Sequence, residues 1–245
     1  MLVLVLEPIK QLRRQIFSRF PNSKTVAIIL NYRYFGLNEI DRKLRRFLPN
    51  RDGFFIELGA NDGLKQSNTK YFELFRGWSG ILIEPDPKNY SLLRHNRSEK
   101  SEFFNAACVS FDFPEAEIAM MYSDLMTSPL EGRNEIPNAR AHAKLGEEFW
   151  GGESYEFLAP ARTLNSILKE AHAPSNIELL SLDVEGAELE VLLGLNFSQY
   201  SFDYLLIESR DILSLEELLG LNGYILIDKF SEHDFLFRGI NTLPK

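Results

Sequence analysis

In FFIELGANDG (54–63) an acid, Glu57, is followed by Gly59 and Gly63. Gly59 allows a sharp turn with the backbone close to a ligand, and Gly63 permits positive φ or close helix approach. The spacing is ExGxxxG, not the GxGxxG that holds a pyrophosphate at a helix N-terminus. A carboxylate repels a pyrophosphate but attracts a cationic amino-acid ligand. A second apolar run, ILIEPDP, ends in Glu84. An acid there can accept both hydroxyls of a ribose; as plain structure it is a surface acid before a Pro-initiated turn. A third run, IELLSLDVEG, ends in Asp183 and Glu185. Two acids in one crevice can raise each other's pKa, bind a divalent cation or deprotonate a hydroxyl. As plain structure they are acids favoured by a helix N-terminus. Together the three runs favour a nucleoside-bearing, partly cationic ligand, and S-adenosylmethionine has that chemistry: an ammonium, a sulfonium and a ribose.

These groups meet only if each run is a strand ending at one rim. From residue 54 onward, apolar runs at 54–58, 79–83, 103–109, 177–184 and 202–207 alternate with helical stretches near 66–76, 87–95, 187–193 and 213–221. That alternation implies an α/β, doubly wound, mostly parallel sheet, whose ligands bind beyond the strands' carboxyl ends. GYILIDKF and HDFLFR are separated by too few residues for a parallel crossover, so a seven-stranded sheet closes with an antiparallel C-terminal hairpin. Residues 110–162 interrupt the alternation. EIAMMYS (117–123) and YEFLAPA (155–161) read as extra strands around a polar stretch, either a lid or substrate loop or a structural excursion. Residues 1–50, with helices over 9–20 and 37–48, form a helical cover; residues 51–245 form the sheet domain.

At 245 residues and 44% apolar, the chain can bury the core of one large domain. The single cysteine, Cys108, excludes an intramolecular disulfide and gives no metal clip. The opening MLVLVLE is too short an apolar run for a secretory signal or a span, so the expectation is a soluble, cytoplasmic protein. The net charge of −8 hides an asymmetry: residues 1–51 carry +8 and the remainder −16. An acidic body argues against nucleic acid as a partner. The basic segment reads first as solvated helix faces, with peripheral contact to an anionic surface as the alternative. Of the four histidines, only His142, in the insertion, is a candidate base.

FIELGANDG, SNT (67–69), WSGILIEPDP (78–87), ARTLNSIL (161–168), LLSLDVEGAELEVLLG (179–194) and YLLIES (204–209) resemble the FkbM-type methyltransferases, a branch of the Rossmann-like class I S-adenosylmethionine-dependent fold. The resemblance covers roughly 50–240, with Asn165 and Ser181 standing where the family commonly has Asp and Lys. It implies O-methylation of a hydroxyl on a carbohydrate, glycan or natural product. On that reading Glu57, Gly59, Ala60, Asn61 and Gly63 hold the donor's amino-acid end, Glu84 its ribose, and Asn68 helps to position it. Asp183 and Glu185 act as base, or with Glu208 bind Mg²⁺ or Mn²⁺. The rival readings are a non-catalytic nucleoside-binding module and an NAD-dependent oxidoreductase.

Overall fold

The computed structural model describes residues 12–240. The N-terminal segment has α1 over 12–17, α2 (Lys24–Ile29) and α3 (Ile40–Leu44). Then come β1 (Phe54–Leu58), α4 (Lys70–Arg76), β2 (Ser79–Ile83), α5 (Pro87–Asn96) and β3 (Glu102–Phe104). The insertion holds β4 (Ala107–Val109), β5 (Glu117–Tyr122), β6 (Ser128–Pro129), α6 (Ala139–Trp150) and β7 (Tyr155–Thr163). The chain closes with α7 (Leu164–Glu170), β8 (Asn176–Leu182), α8 (Glu188–Leu192), β9 (Ser201–Glu208), α9 (Ile212–Leu221), β10 (Tyr224–Lys229) and β11 (Asp234–Gly239).

The main sheet has seven strands in the order β10-β11-β9-β8-β1-β2-β3. All neighbours are parallel except β11, which runs antiparallel to both β9 and β10, as a hairpin this tight requires. The chain winds outward from β1 to β3 and returns on the other side of β1 as β8, so the strand order reverses between them. Register levels the rim: Leu58 lies opposite Ile83 and Leu182, and Leu182 opposite Ile207. The next residues are Gly59, Glu84, Asp183 and Glu208, side by side on four adjacent strands.

Strand parity decides what each face buries. Phe55, Leu82, Leu179 and Leu206 point to one face and pack with Phe17, Ala27, Ile40 and Leu44 of the N-terminal segment and with Phe72 of α4. Ile56, Leu58, Ile81, Leu180 and Leu182 point to the other face, against Leu164, Ile167, Val191 and Leu215 of α7–α9. β8 is buried on both sides, which is why IELLSL reads as a continuous apolar run instead of an alternation.

Three local expectations change. The helix expected over 37–48 is only α3, because Asn38 and Glu39 take positive φ of 49° and 56° and a 3-10 turn precedes it. Of the helix expected over 9–20, residues 9–11 lie outside the described residues and the helical part is 12–17. The strand expected over 103–109 splits. After Phe104 the chain leaves the main sheet, with Asn105 Nδ2 donating to the carbonyls of Glu84 and Pro85, 2.8 Å each. β4 then pairs with β7 in a separate four-stranded sheet, β4-β7-β5-β6. The extra strands expected at 117–123 and 155–161 are β5 and β7, paired antiparallel. The helix α6 between them sits close to β5: a Cβ on Gly146 would lie 2.2 Å from Ser123 Oγ.

Candidate active site

Two cavities open at the rim. The first encloses about 790 Å³ of empty space, mouth included, between the strand ends and the insertion sheet. Gly59, Asn61, Glu84, Asp183 and Glu185 line it together with Ala106–Cys108 and with Ile118 and Met120 of β5. The second, about 950 Å³ with its open mouth, is lined by Asn68, His142, Trp150, Glu208 and Arg210, and by Leu37 and Ile40 of the N-terminal segment. Leu125, Asp183 and Glu185 line both. The acids of the DVE run therefore stand where the cavities meet.

Gly59 has φ +73°, and a Cβ there would lie 1.8 Å from the Asp183 carbonyl oxygen. Only glycine lets the β1 turn pass this close to the end of β8. Glu84 is buried, and its carboxylate accepts from the backbone N–H groups of Asn61 (2.8 Å) and Asp86 (2.9 Å). Burial pushes its pKa up to about 8, against the lowering pull of those two donors. Asn61, at φ +46°, donates through Nδ2 to Asp124 at 3.2 Å, and Lys65 pairs with the same carboxylate. Asp124 thus ties the insertion to the β1 loop at the mouth of the first cavity.

Carboxylate oxygens of Asp183, Glu185 and Glu208 lie within 4.8 Å of one another. Burial, then the charges of Glu208 and Glu185, hold Asp183 well above the usual carboxylate range, and burial with Glu185 raises Glu208 too. Glu185 is bonded to Arg210 (3.1 Å) and to His142 Nε2 (3.0 Å), and Arg210 also approaches Glu208 at 3.5 Å. Below the acids, Glu188 accepts from the N–H groups of Val184 (2.9 Å) and Gly186 (3.2 Å), fixing the turn that presents them. Three hard oxygen donors brought together from neighbouring strand ends fit an oxophilic divalent cation. Asp183, Glu185 and Glu208 would hold it.

Several residues singled out in the sequence fall elsewhere. Glu57 does not reach the first cavity. It shares strand parity with Phe55, so its carboxylate points under α4, where it accepts from Arg97 (3.0 Å), Ser67 Oγ (3.0 Å), the Asn68 N–H (3.0 Å) and Thr69 Oγ1 (2.5 Å). Arg97, itself buried, also holds Glu73 at 2.9 Å, and Glu73 pairs with Lys70 at 2.7 Å. The SNT run is thus a clamp on Glu57. Asn68 lines the second cavity, not the first, and donates to Ser181 Oγ at 3.2 Å. Ala60 is core, and Gly63 (φ +79°) makes room for Arg97 and Leu93. Of the aromatics near the site, Trp150 lines the second cavity, while Tyr155 donates to Asp86 at 2.6 Å.

Sequence reading passed over Asp124, Arg210 and the Ala106–Cys108 wall. Arg210 lies two residues beyond Glu208 at the tip of β9, a signal that was present. The wall residues were hidden inside a strand drawn too long, and nothing in the local sequence marks Asp124.

A family profile described as the methyltransferase FkbM domain matches residues 57–237. No curated protein sequence matches the chain. Among solved structures, it is similar to a candidate RNA methyltransferase of Pyrococcus horikoshii, at 11% identity, TM-score 0.42, covering 84% of this chain and 82% of that one. It is similar to the fibrillarin pre-rRNA processing protein of Methanococcus jannaschii, at 14% identity, TM-score 0.40, covering 90% and 75%. A third is a SAM-dependent methyltransferase from Aquifex aeolicus, at 10% identity, TM-score 0.37, covering 81% and 87%. At this level of likeness the neighbours say nothing about substrate. The FkbM match runs from β1 to β11, across the strand ends that build both cavities, and the chain belongs to the FkbM methyltransferase family.

Proposed function

We propose that the protein O-methylates a hydroxyl of a sugar, glycan or related natural product, with the donor in the first cavity and the acceptor in the second. The observation that carries this reading is that Asp183 and Glu185 line both cavities. Bound S-adenosylmethionine would supply an electrophilic methyl on sulfur, which the acceptor oxygen takes as the thioether leaves. Glu84 would accept from the donor's ribose hydroxyls, and the Gly59 turn, packed against the Asp183 carbonyl, would set the floor on which the donor's amino-acid end rests. Ile118 and Met120 close an apolar wall. Glu188 holds the 183–187 turn still, so that alignment of the two reactants is built in before they bind. Asp183 or Glu185 receives the hydroxyl proton. A divalent cation on Asp183, Glu185 and Glu208 would polarise that hydroxyl.

Acids around the second cavity disfavour a phosphate-rich acceptor and suit a polyhydroxyl one, with Trp150 available to stack on a sugar ring. The test is transfer from labelled S-adenosylmethionine to a panel of sugar, glycolipid and nucleic-acid acceptors, with EDTA or Mn²⁺. Label on hydroxyl acceptors, lost in Asp183→Asn while donor binding persists, supports the reading. Label confined to RNA overturns the acceptor class, and activity unchanged by EDTA overturns the metal. Donor binding with no transfer to any acceptor would favour the non-catalytic module.

A further inference from the structure

The basic N-terminal segment is not simply a solvated face. Residues 12–38 contain five Lys or Arg and no acid. In the same stretch Leu12, Ile16, Phe20, Ile28, Ile29 and Leu37 are exposed, Ile29 to 76%. Leu12 and Ile16 are one turn apart on α1, on the same side of the helix. Their neighbours do fold inward: Phe17 and Ala27 are buried, and Phe17 stacks edge-on with Tyr32. The segment is therefore docked on the sheet and still shows apolar side chains among cations. Water alone gives no reason for that display, whereas an anionic lipid surface takes both components.

The position of the segment gives the display a purpose. Leu37, half exposed, and Ile40 line the second cavity, as do Phe149 and Trp150 of α6, exposed to 72% and 45%. Apolar side chains of the basic segment and of α6 thus line the acceptor cavity together. The rest of the chain, at −16 beyond residue 51, is repelled by an anionic bilayer, which leaves one face to approach it. We infer that the N-terminal segment docks the protein on an anionic membrane surface and that the acceptor is membrane-borne, its hydroxyl entering the second cavity from the bilayer. The docking stands independently; the acceptor clause rests on the proposed O-methylation.

The experiment has two arms. In the first, the full chain is sedimented with phosphatidylcholine vesicles, with or without phosphatidylglycerol, in the absence of donor. Binding is expected only with the anionic lipid and is expected to weaken as salt rises. Each basic side chain near such a surface is worth about fivefold in partitioning. Arg19→Glu, Lys24→Glu and Arg33→Glu together are expected to cost at least tenfold, and Ile29→Asn severalfold, with S-adenosylmethionine affinity unchanged as the control for folding. No vesicle binding, binding indifferent to these substitutions, or a dimer in solution that Ile29→Asn dissolves would each overturn the docking, the last in favour of a second copy of the chain. In the second arm, methyl transfer to dodecyl glucoside held in anionic vesicles is compared with transfer to methyl glucoside in solution. Faster transfer to the vesicle-held acceptor, abolished by the triple charge reversal, is the expected result. Equal or faster transfer to the soluble glucoside overturns the membrane-borne acceptor. Transfer to neither counts against both the acceptor clause and the hydroxyl reading, and leaves the vesicle-binding result as it stands.

Discussion

Glu57 and Glu84 are both buried acids near the carboxyl ends of adjacent strands, yet they serve opposite ends. Glu84 is the first residue past β2 and faces the first cavity; Glu57 lies within β1, opposite Leu82, and faces the core. Sequence spacing made both look like ligand contacts, because distance from a glycine turn says nothing about strand parity. Its partners, Ser67, Asn68 and Thr69 ahead of α4 and Arg97 forty residues away, show where Glu57 points. Glu84→Gln keeps the shape and removes the charge. Above pH 8, where Glu84 is ionised, it is expected to weaken S-adenosylmethionine binding by roughly 10- to 100-fold, the range for a hydrogen bond to an ionised group, measured by calorimetry. Arg97→Met leaves Glu57 without its cation in the core and Glu73 with Lys70 alone, and is expected to cost about 3–5 kcal/mol of stability in a urea titration. Donor affinity of the folded Arg97→Met protein should stay within a few-fold. If Glu57→Gln instead lowered donor affinity at full stability, Glu57 would be a donor contact after all.

At the scale of elements, the sheet was legible and the insertion was not. Strands with a single apolar signal, such as ILIEP and FDYLLI, were placed correctly because burial on both faces leaves little other choice. The insertion's own sheet was visible as two alternating stretches, EIAMMYS and YEFLAPA. Its partner β4 was hidden, since nothing local tells ACV to leave one sheet for another; the cause is Asn105 bonding back to Glu84 and Pro85. Helix α6 lies in what reads as a polar, Gly-bearing stretch; its amphipathic spacing is present in the sequence, but the face it buries, Ala139, Ala143 and Gly146, is made of small residues and not of the large apolar ones that mark a core helix. That small face has a use: it lets α6 lie close to β5 and brings His142 to Glu185 and Trp150 to the second cavity. Gly146→Val would push a branched side chain into Ser123 and shift the helix. Overpacking of this kind costs roughly 1–3 kcal/mol. The expected result is a KM for acceptor raised about tenfold with donor affinity unchanged, because Glu84 and the Gly59 turn belong to other elements. A change confined to donor binding would mean that α6 does not shape the acceptor cavity.

For the whole molecule, the rim carries more buried acid than a fold would keep for stability. Burial raises Glu84 to about 8, Glu188 to about 8 and, away from the rim, Asp41 in α3 of the N-terminal segment to about 7. An acid with a raised folded pKa holds a proton that the unfolded chain has already released. Its penalty is therefore absent below the unfolded value near 4, grows as pH rises, and is complete above the folded value. Each such group contributes at most about 1.4 kcal/mol per pH unit inside that window. Lys70, lowered by burial to about 8, works in the other direction but only above that pH, where the unfolded chain still holds its proton. Unfolding free energy is thus expected to fall by roughly 2–5 kcal/mol between pH 5.5 and pH 8 in urea titrations, with Glu84→Gln flattening part of the slope. Donor binding should reduce the loss, since ribose hydroxyls donate best to an ionised Glu84. Stability that held constant or rose across that interval would show that these carboxyls are ionised in the folded protein well below neutral pH, and that the strand-end cluster is open to water or to a cation instead of being held protonated.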